Sequence, residues 1–508
     1  MGANTEHFNY FNTSEESFFT PGRQLADIAH VKPDAPAIIY ISPENTESVT
    51  SWHELETLSS RIAWYLIGQG IGPGKSVLAA LPNIPTHIAL AFGIWKAGAC
   101  YVPVSNRVPQ RNMAEICECV APSLVITNRK KPEGYPSLTT AELRELCAPM
   151  SDEMPPDILA VPNLANCSGG TTGKTKVIQQ DMPAGESDEG LKTWFTVSGM
   201  SFEMRQLLAG PLFHGAPHSA AFNGLYCGNT LVMPASLDAE TIVRCIKKYE
   251  IEYVQMVPTL MQRIIRMPGF NKDDLKSLKV LCHTGGVCSA DLKRQWLDIL
   301  GPEKLYEMYS MTECIGMTHI RGDEWLRHPG SVGRILCGKL SIRGDDGQEL
   351  PTGEVGNIYM SWGANSPKVE YKNIAPIECD ENGFKSVGDM GYVDDEGYLY
   401  FADRRSDMIV TGGENVFAAE VETALMKHPA VVDAVVVGLP DKDWGHRIHA
   451  IVETSAPVTQ KELIRFALNY LTPYKLPKSI DFVDHIPRNE SGKVVRSQLV
   501  EESLKKGF

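Results

Sequence analysis

The chain has 508 residues, of which 43% are hydrophobic and 22% charged. That is the composition of a globular protein, at a length that one ordinary core does not fill, so at least two domains are expected. Lysine and arginine number 48 against 62 aspartates and glutamates, a formal charge of −14 with no long basic run, which argues against nucleic acid and anionic membranes as partners. The twelve cysteines are scattered without C-x-x-C pairs. With no signal peptide and no apolar run of membrane-spanning length, reduced thiols, no membrane insertion and a cytoplasmic location are expected. Small anionic ligands and homo-oligomerisation stay open.

In chain order, Ser51 is a plausible N-cap for an amphipathic helix running to Ile71. Val77–Leu81 reads as a buried strand, His87–Ala97 as a helix, and Cys100–Val104 and Ser123–Thr127 as strands. Tyr253–Val257 and Leu278–Cys282 continue this rhythm of parallel α/β layers. From about Gly333, short alternating runs such as Lys339–Arg343 and Gly356–Met360 are separated by Gly/Asp turns, the pattern of antiparallel β structure. Beyond the charge-dense Asp403–Asp407 come a helix at Glu420–His428, strands at Val431–Val437 and His449–Glu453, a helix at Lys461–Leu471 and a strand at Ile480–Val483. The expected fold is therefore α/β and α+β. A large N-terminal domain (1–404) combines parallel α/β layers with a β-rich subdomain, and a small α+β domain (405–508) follows.

The segment Ser168-Gly-Gly-Thr-Thr-Gly-Lys-Thr-Lys176 gathers glycines, hydroxyls and two lysines. Glycines let backbone N–H groups close around an anion, and lysine supplies a point charge for phosphate oxygens. A Walker A loop would need glycine at Ser168 and a helix directly after Thr175, whereas Val177–Gln180 reads as a strand. A surface turn is the plain alternative. Tyr309-Ser-Met-Thr-Glu313 joins a ring for stacking a base to a carboxylate for Mg²⁺, or is a turn with an exposed glutamate. Ser386–Gly391 sets Asp389 in a glycine turn suited to ribose hydroxyls, or forms an Asx-turn. His214 and His218 stand four apart, but Gly215 and Pro217 between them predict no regular helix, and no acidic third ligand follows.

Taken together and in this order, the segments make the chain resemble the adenylate-forming superfamily of acyl-CoA synthetases, luciferases and peptide-synthetase adenylation domains, over about residues 20–500. Gly210–Gly224, Cys282–Ser289 and Tyr306–Gly316 are most similar to bacterial bile acid–CoA ligases. The resemblance implies the adenylate-forming fold with a mobile small domain, and ATP, Mg²⁺ and coenzyme A as cofactor and co-substrates of a small carboxylic acid. It implies a phosphate grip at Ser168, Gly169, Gly170, Thr171, Thr172, Gly173 and Lys176, and adenine stacking on Tyr309 beside Gly285 and Gly286. Thr312 would meet the α-phosphate, Glu313 would bind Mg²⁺, and Asp389 and Arg404 would take the ribose. Lys493 would bridge the acid's carboxylate and the α-phosphate, Ser406 would be the hinge, and Gly412 and Gly413 would line a pantetheine tunnel. His214 would lie between the ATP and acyl sites, with His218, Phe222 and Asn223 along the acyl pocket. Thr175, Cys288, Ser310 and Ser406 depart from the family pattern, and none of them removes a reacting group. The expected activity is an acid–CoA ligase for a bile acid. A medium-chain fatty or aryl acid is the alternative substrate, and a P-loop kinase the alternative class.

Overall fold

Ser51 fixes the start of a long helix with its own atoms. Its Oγ accepts from Glu54 N at 3.1 Å while Ser51 N donates to Glu54 Oε2 at 2.8 Å, and this reciprocal cap opens the helix Trp52–Gly68. That helix packs on Pro85–Lys96, in which every residue from Thr86 to Lys96 is buried. A helix apolar all round belongs between layers. Its one charge is neutralised in place, because Lys96 Nζ lies 2.6 Å from Glu56 Oε2 and donates to the hydroxyls of Ser59 and Ser60.

The computed structural model describes residues 18–169, 175–362, 369–372, 377–488 and 494–508. Among the described residues, the strands form sheets of thirteen, seven, five and two. In the seven-stranded sheet, Ser76–Ala80 pairs in parallel with Cys100–Val104 and with Leu124–Thr127. The hairpin of Leu164–Gly169 and Thr175–Gln180 extends it. The thirteen-stranded sheet is half parallel and half antiparallel. Pro36–Ile41, Thr230–Pro234, Arg205–Leu208, Tyr253–Met256, Val280–His283 and Leu305–Ser310 run parallel. From Met317–Arg321 onward, through Ser331–Cys337, Tyr398–Arg404, Lys385–Val393, Gly356–Ser361 and Lys339–Arg343, each pairing is antiparallel.

The expected change of character near Gly333 is therefore real, but it is not a break. The antiparallel strands continue the parallel sheet edge to edge. Four strands of the parallel half, Pro36–Ile41, Arg205–Leu208, Thr230–Pro234 and Leu305–Ser310, were not anticipated. The first pairs with the third, Ile38 with Leu231, and such distant pairing leaves no local signature. After the single turn Arg405–Asp407, the chain builds a separate five-stranded sheet with the helices Ala418–Met426, Gln460–Ala467 and Arg496–Lys505. This unit has its own core around Val421, Leu425, Val436, Ile448 and Leu463.

Candidate active site

The strands that flank the segment expected to grip phosphate, Leu164–Gly169 and Thr175–Gln180, pair as a hairpin. Ser168 faces Lys176 and Gly169 faces Thr175 in antiparallel register, while Gly170, Thr171, Thr172 and Gly173 lie outside the described residues. The chain leaves the loop as the strand Thr175–Gln180. A Walker A loop opens into a helix instead, and that context is absent here.

Tyr309, Thr312 and Glu313 occupy the point where the large sheet changes from parallel to antiparallel. Tyr309 is on the last parallel strand, and Thr312 and Glu313 are in the turn leading to Met317–Arg321. The turn is closed from within. Ser310 Oγ donates to Gly316 O at 2.8 Å, Cys314 N donates to Met311 O at 2.9 Å, and Cys314 takes a φ of +48°. The serine that departs from the family pattern thus gains a structural task.

Distant residues converge on Tyr309. Asp389 and Arg404 are register partners on neighbouring antiparallel strands, with Arg404 Nε 3.6 Å from Asp389 Oδ1. The Tyr309 hydroxyl donates to Asp389 Oδ2 at 2.6 Å. Burial, reinforced by the Asp389 charge, raises the Tyr309 pKa well above its ordinary value. Gly285 and Gly286 follow the strand Val280–His283. Gly285 turns through φ +79°, and Val257 and Pro258 are the neighbours nearest the two glycines.

Tyr371 was not anticipated from sequence. Its hydroxyl donates to Glu313 Oε1 at 2.7 Å, and burial together with the Glu313 charge raises its pKa. Tyr371 lies on the strand Val369–Tyr371, which pairs with Thr175–Gln180. One hydroxyl therefore ties the carboxylate expected to hold Mg²⁺ to the strand paired with Thr175–Gln180. Among the described residues no three His, Cys, Asp or Glu side chains gather as a metal site. A single anchored carboxylate still suits Mg²⁺, which takes one or two carboxylates and completes its octahedron with phosphate and water oxygens.

His214 precedes the helix Gly215–Tyr226, whose second turn carries His218. This corrects the expectation that Gly215 and Pro217 exclude a regular helix. Proline in the first turn gives up an N–H that has no intrahelical partner anyway. His218 and Phe222 stand one turn apart and enter the aromatic core: the Phe222 ring is 4.8 Å from Trp95, and His218 stacks 5.8 Å from Tyr101. Desolvation pushes the His218 pKa down to about 3. His214 and Asn223 are only part-buried.

A cavity of about 1010 Å³ lies between the large domain and the small sheet. Gly285, Gly286, Phe401 and Arg404 line it from one side, and Arg488, Val494 and Arg496 from the other. Lys493 lies outside the described residues, but the residues after it, Val494–Arg496, face this cavity. Ser406 lines it as well, whereas Gly412 and Gly413 do not. Those glycines turn between Ile409–Thr411 and Glu414–Val416 at φ +59° and +86°, and a Cβ on Gly412 would stand 2.6 Å from the Trp444 ring.

The two-domain architecture and the family matches place the chain among AMP-forming acid–thiol ligases of the adenylate-forming fold. The chain belongs to the AMP-binding enzymes: the model of that family matches residues 25–366, and the model of the AMP-binding enzyme C-terminal domain matches residues 420–493. It is 30% identical to a 2-succinylbenzoate–CoA ligase of Bacillus licheniformis over 94% of this chain and 98% of the relative. It is 29% identical to a long-chain-fatty-acid–CoA ligase of Mycobacterium tuberculosis over 95% and 98%. Among solved structures, o-succinylbenzoate CoA synthetase from Bacillus subtilis, in complex with its acyl-adenylate intermediate, superposes with a TM-score of 0.81 at 26% identity, covering 95% of this chain and 98% of that one.

Proposed function

We propose that the enzyme activates a carboxylic acid with ATP and passes the acyl group to coenzyme A. In the first half-reaction a carboxylate oxygen attacks the α-phosphorus. A C(O)O–P bond forms, the bond to the β-phosphate oxygen breaks, and pyrophosphate leaves. In the second, the coenzyme A sulfur attacks the adenylate's carbonyl carbon and loses its proton. A C–S bond replaces the C–O bond, and AMP leaves.

The convergence of Tyr309, Asp389 and Arg404 carries this reading, because it builds a nucleoside site out of segments far apart in the chain. Tyr309 stacks the adenine beside Gly285 and Gly286, and Asp389 and Arg404 hold the ribose. Ser168–Gly173 and Lys176 steady the β- and γ-phosphates, and Thr312 meets the α-phosphate. Glu313 would hold Mg²⁺, which would offset the charge repulsion between carboxylate and triphosphate. Lys493 bridges the acid's carboxylate and the α-phosphate from the small domain, residues 405–508. Rotation about Ser406 then brings Gly412 and Gly413 to the pantetheine. At the acyl site, His214 lies between the ATP and acyl sites, and His218, Phe222 and Asn223 line the acyl pocket.

For the acid itself, the likeness of Gly210–Gly224, Cys282–Ser289 and Tyr306–Gly316 to bile acid–CoA ligases supports a steroidal acid. The succinylbenzoate and long-chain-fatty-acid ligases among the relatives favour an aryl or fatty acid as the second reading. A panel of cholate, octanoate, benzoate and 2-succinylbenzoate with ATP and coenzyme A, read by mass spectrometry of the thioesters, separates them. Cholate is expected to be turned over. Turnover of benzoate or octanoate without cholate removes the steroid assignment, and the absence of acid-dependent pyrophosphate exchange with any acid removes the ligase.

A further inference from the structure

Ser406 is bracketed by two arginine contacts that pull in opposite directions. On its N-terminal side, Arg405 Nη1 donates to Asn357 Oδ1 and lies 2.9 Å from Asp345 Oδ1. Asn357 is buried on the strand Gly356–Ser361 and bonds Asp345 Oδ1 itself at 3.1 Å. Arg405 is thus fastened to the large domain. On the C-terminal side, Asp407 Oδ2 lies 3.2 Å from Arg496 Nη1. The same guanidinium pairs with Glu422 and donates from Nε to Val436 O at 3.3 Å, so Asp407 is fastened to the small domain. Between them Ser406 is exposed, and its hydroxyl donates to Asp407 Oδ1 at 3.1 Å. A rotation spread over several linker residues would tear one or both fastenings, whereas a rotation at Ser406 spares both.

One carboxylate reaches across this joint. Asp403 is the penultimate residue of the strand Tyr398–Arg404, is 3% exposed, and accepts from Ala419 N at 3.1 Å with its Oδ2. Ala419 is in the first turn of Ala418–Met426, a helix whose own N-cap residue, Phe417, offers no side-chain bond. The large domain therefore caps a helix of the small one, and it does so in the orientation that turns Val494–Arg496 toward the interdomain cavity. Swinging the small domain leaves that N–H to water.

We propose that Asp403 is the latch for the adenylate-forming orientation, and that Arg405 and Asp407 are clamps confining the swing to Ser406. All three act as positioning residues that set the balance between the half-reactions. The proposal rests on the two-step ligase reading above, and its test keeps the two apart. Acid-dependent pyrophosphate exchange measures the first half-reaction, and thioester formation from the supplied acyl-adenylate measures the second. Asp403→Ala is expected to slow exchange about fivefold, the equilibrium equivalent of one lost helix cap. The KM for ATP and the thioester step should be unaltered. Asp403→Asn, which keeps an oxygen for Ala419 N, should restore exchange. Arg496→Gln, which releases Asp407, should shift the same ratio, and adding Asp407→Asn should shift it no further. If wild-type enzyme exchanges but Asp403→Ala slows both half-reactions alike, or neither, the latch is overturned. Additive losses for Arg496→Gln and Asp407→Asn overturn the clamp. A wild-type chain without exchange overturns the ligase reading and the latch together.

Discussion

Replacing Tyr371 with phenylalanine removes one hydroxyl and keeps the ring that fills its site. The hydroxyl donates to Glu313 Oε1 at 2.7 Å, and a hydrogen bond to a charged acceptor contributes about 1.5–3 kcal/mol. Tyr371 is only part-buried, so water partly replaces the lost donor and the low end of that range applies. Spent on orienting Glu313 for the charge that develops at the phosphates, about 1.5 kcal/mol corresponds to roughly tenfold in rate. Tyr371→Phe should therefore lower acid-dependent pyrophosphate exchange about tenfold and raise the Mg²⁺ concentration at half-maximal rate. Thioester formation from supplied acyl-adenylate, which needs no triphosphate, should be unaffected. Exchange measured across a Mg²⁺ titration, beside the thioester assay, checks both. Exchange at the wild-type rate, or a tenfold loss with an unaltered Mg²⁺ dependence, refutes the placement of the cation at Glu313.

Three further outcomes are expected. Lys493→Ala should abolish acyl-adenylate formation yet spare the thioester step from supplied acyl-adenylate; equal loss of both in the same two assays contradicts its role as a first-step residue. Desolvation pushes the pKa values of the buried His87, His218 and His283 down to about 4, about 3 and about 4. Unfolded histidine titrates near about 6.5, so below that pH the unfolded chain binds more protons, and stability present above it is lost as pH falls toward 4. Urea midpoints at pH 7 and pH 5 should show the drop, and equal midpoints would remove this account. Gly333 has φ +99°, and a Cβ there would stand 2.0 Å from His319 O. Gly333→Ala should accordingly destabilise the large domain by roughly 2–4 kcal/mol, read from denaturant unfolding, and a loss below about 0.5 kcal/mol would show that the sheet yields there.

Local chemistry was legible wherever it acts over a few residues. The Ser51 cap is a reciprocal bond between residues three apart, and it appears where the sequence places it. The strand after the phosphate loop was readable from Val177–Gln180 and decides against the helix that a Walker A motif requires. Local reasoning failed once in the opposite sense: Gly215 and Pro217 look like helix breakers, yet they sit in a first turn where their usual cost is not incurred.

By itself the sequence pointed to the class of chemistry, because the loop, the Tyr309–Glu313 turn, Asp389 and Arg404, each ambiguous alone, occur together in the order seen in the adenylate-forming superfamily. Only the tertiary structure decided how they meet. The continuous sheet delivers Asp389 and Arg404 to the Tyr309 hydroxyl, Tyr371 reaches Glu313 from the edge of the other sheet, and Asp403 caps a helix of the neighbouring domain. These contacts join residues brought together by strand pairing and domain docking, whose free energy comes from burial spread over the whole chain. No local pattern of residues has to record them.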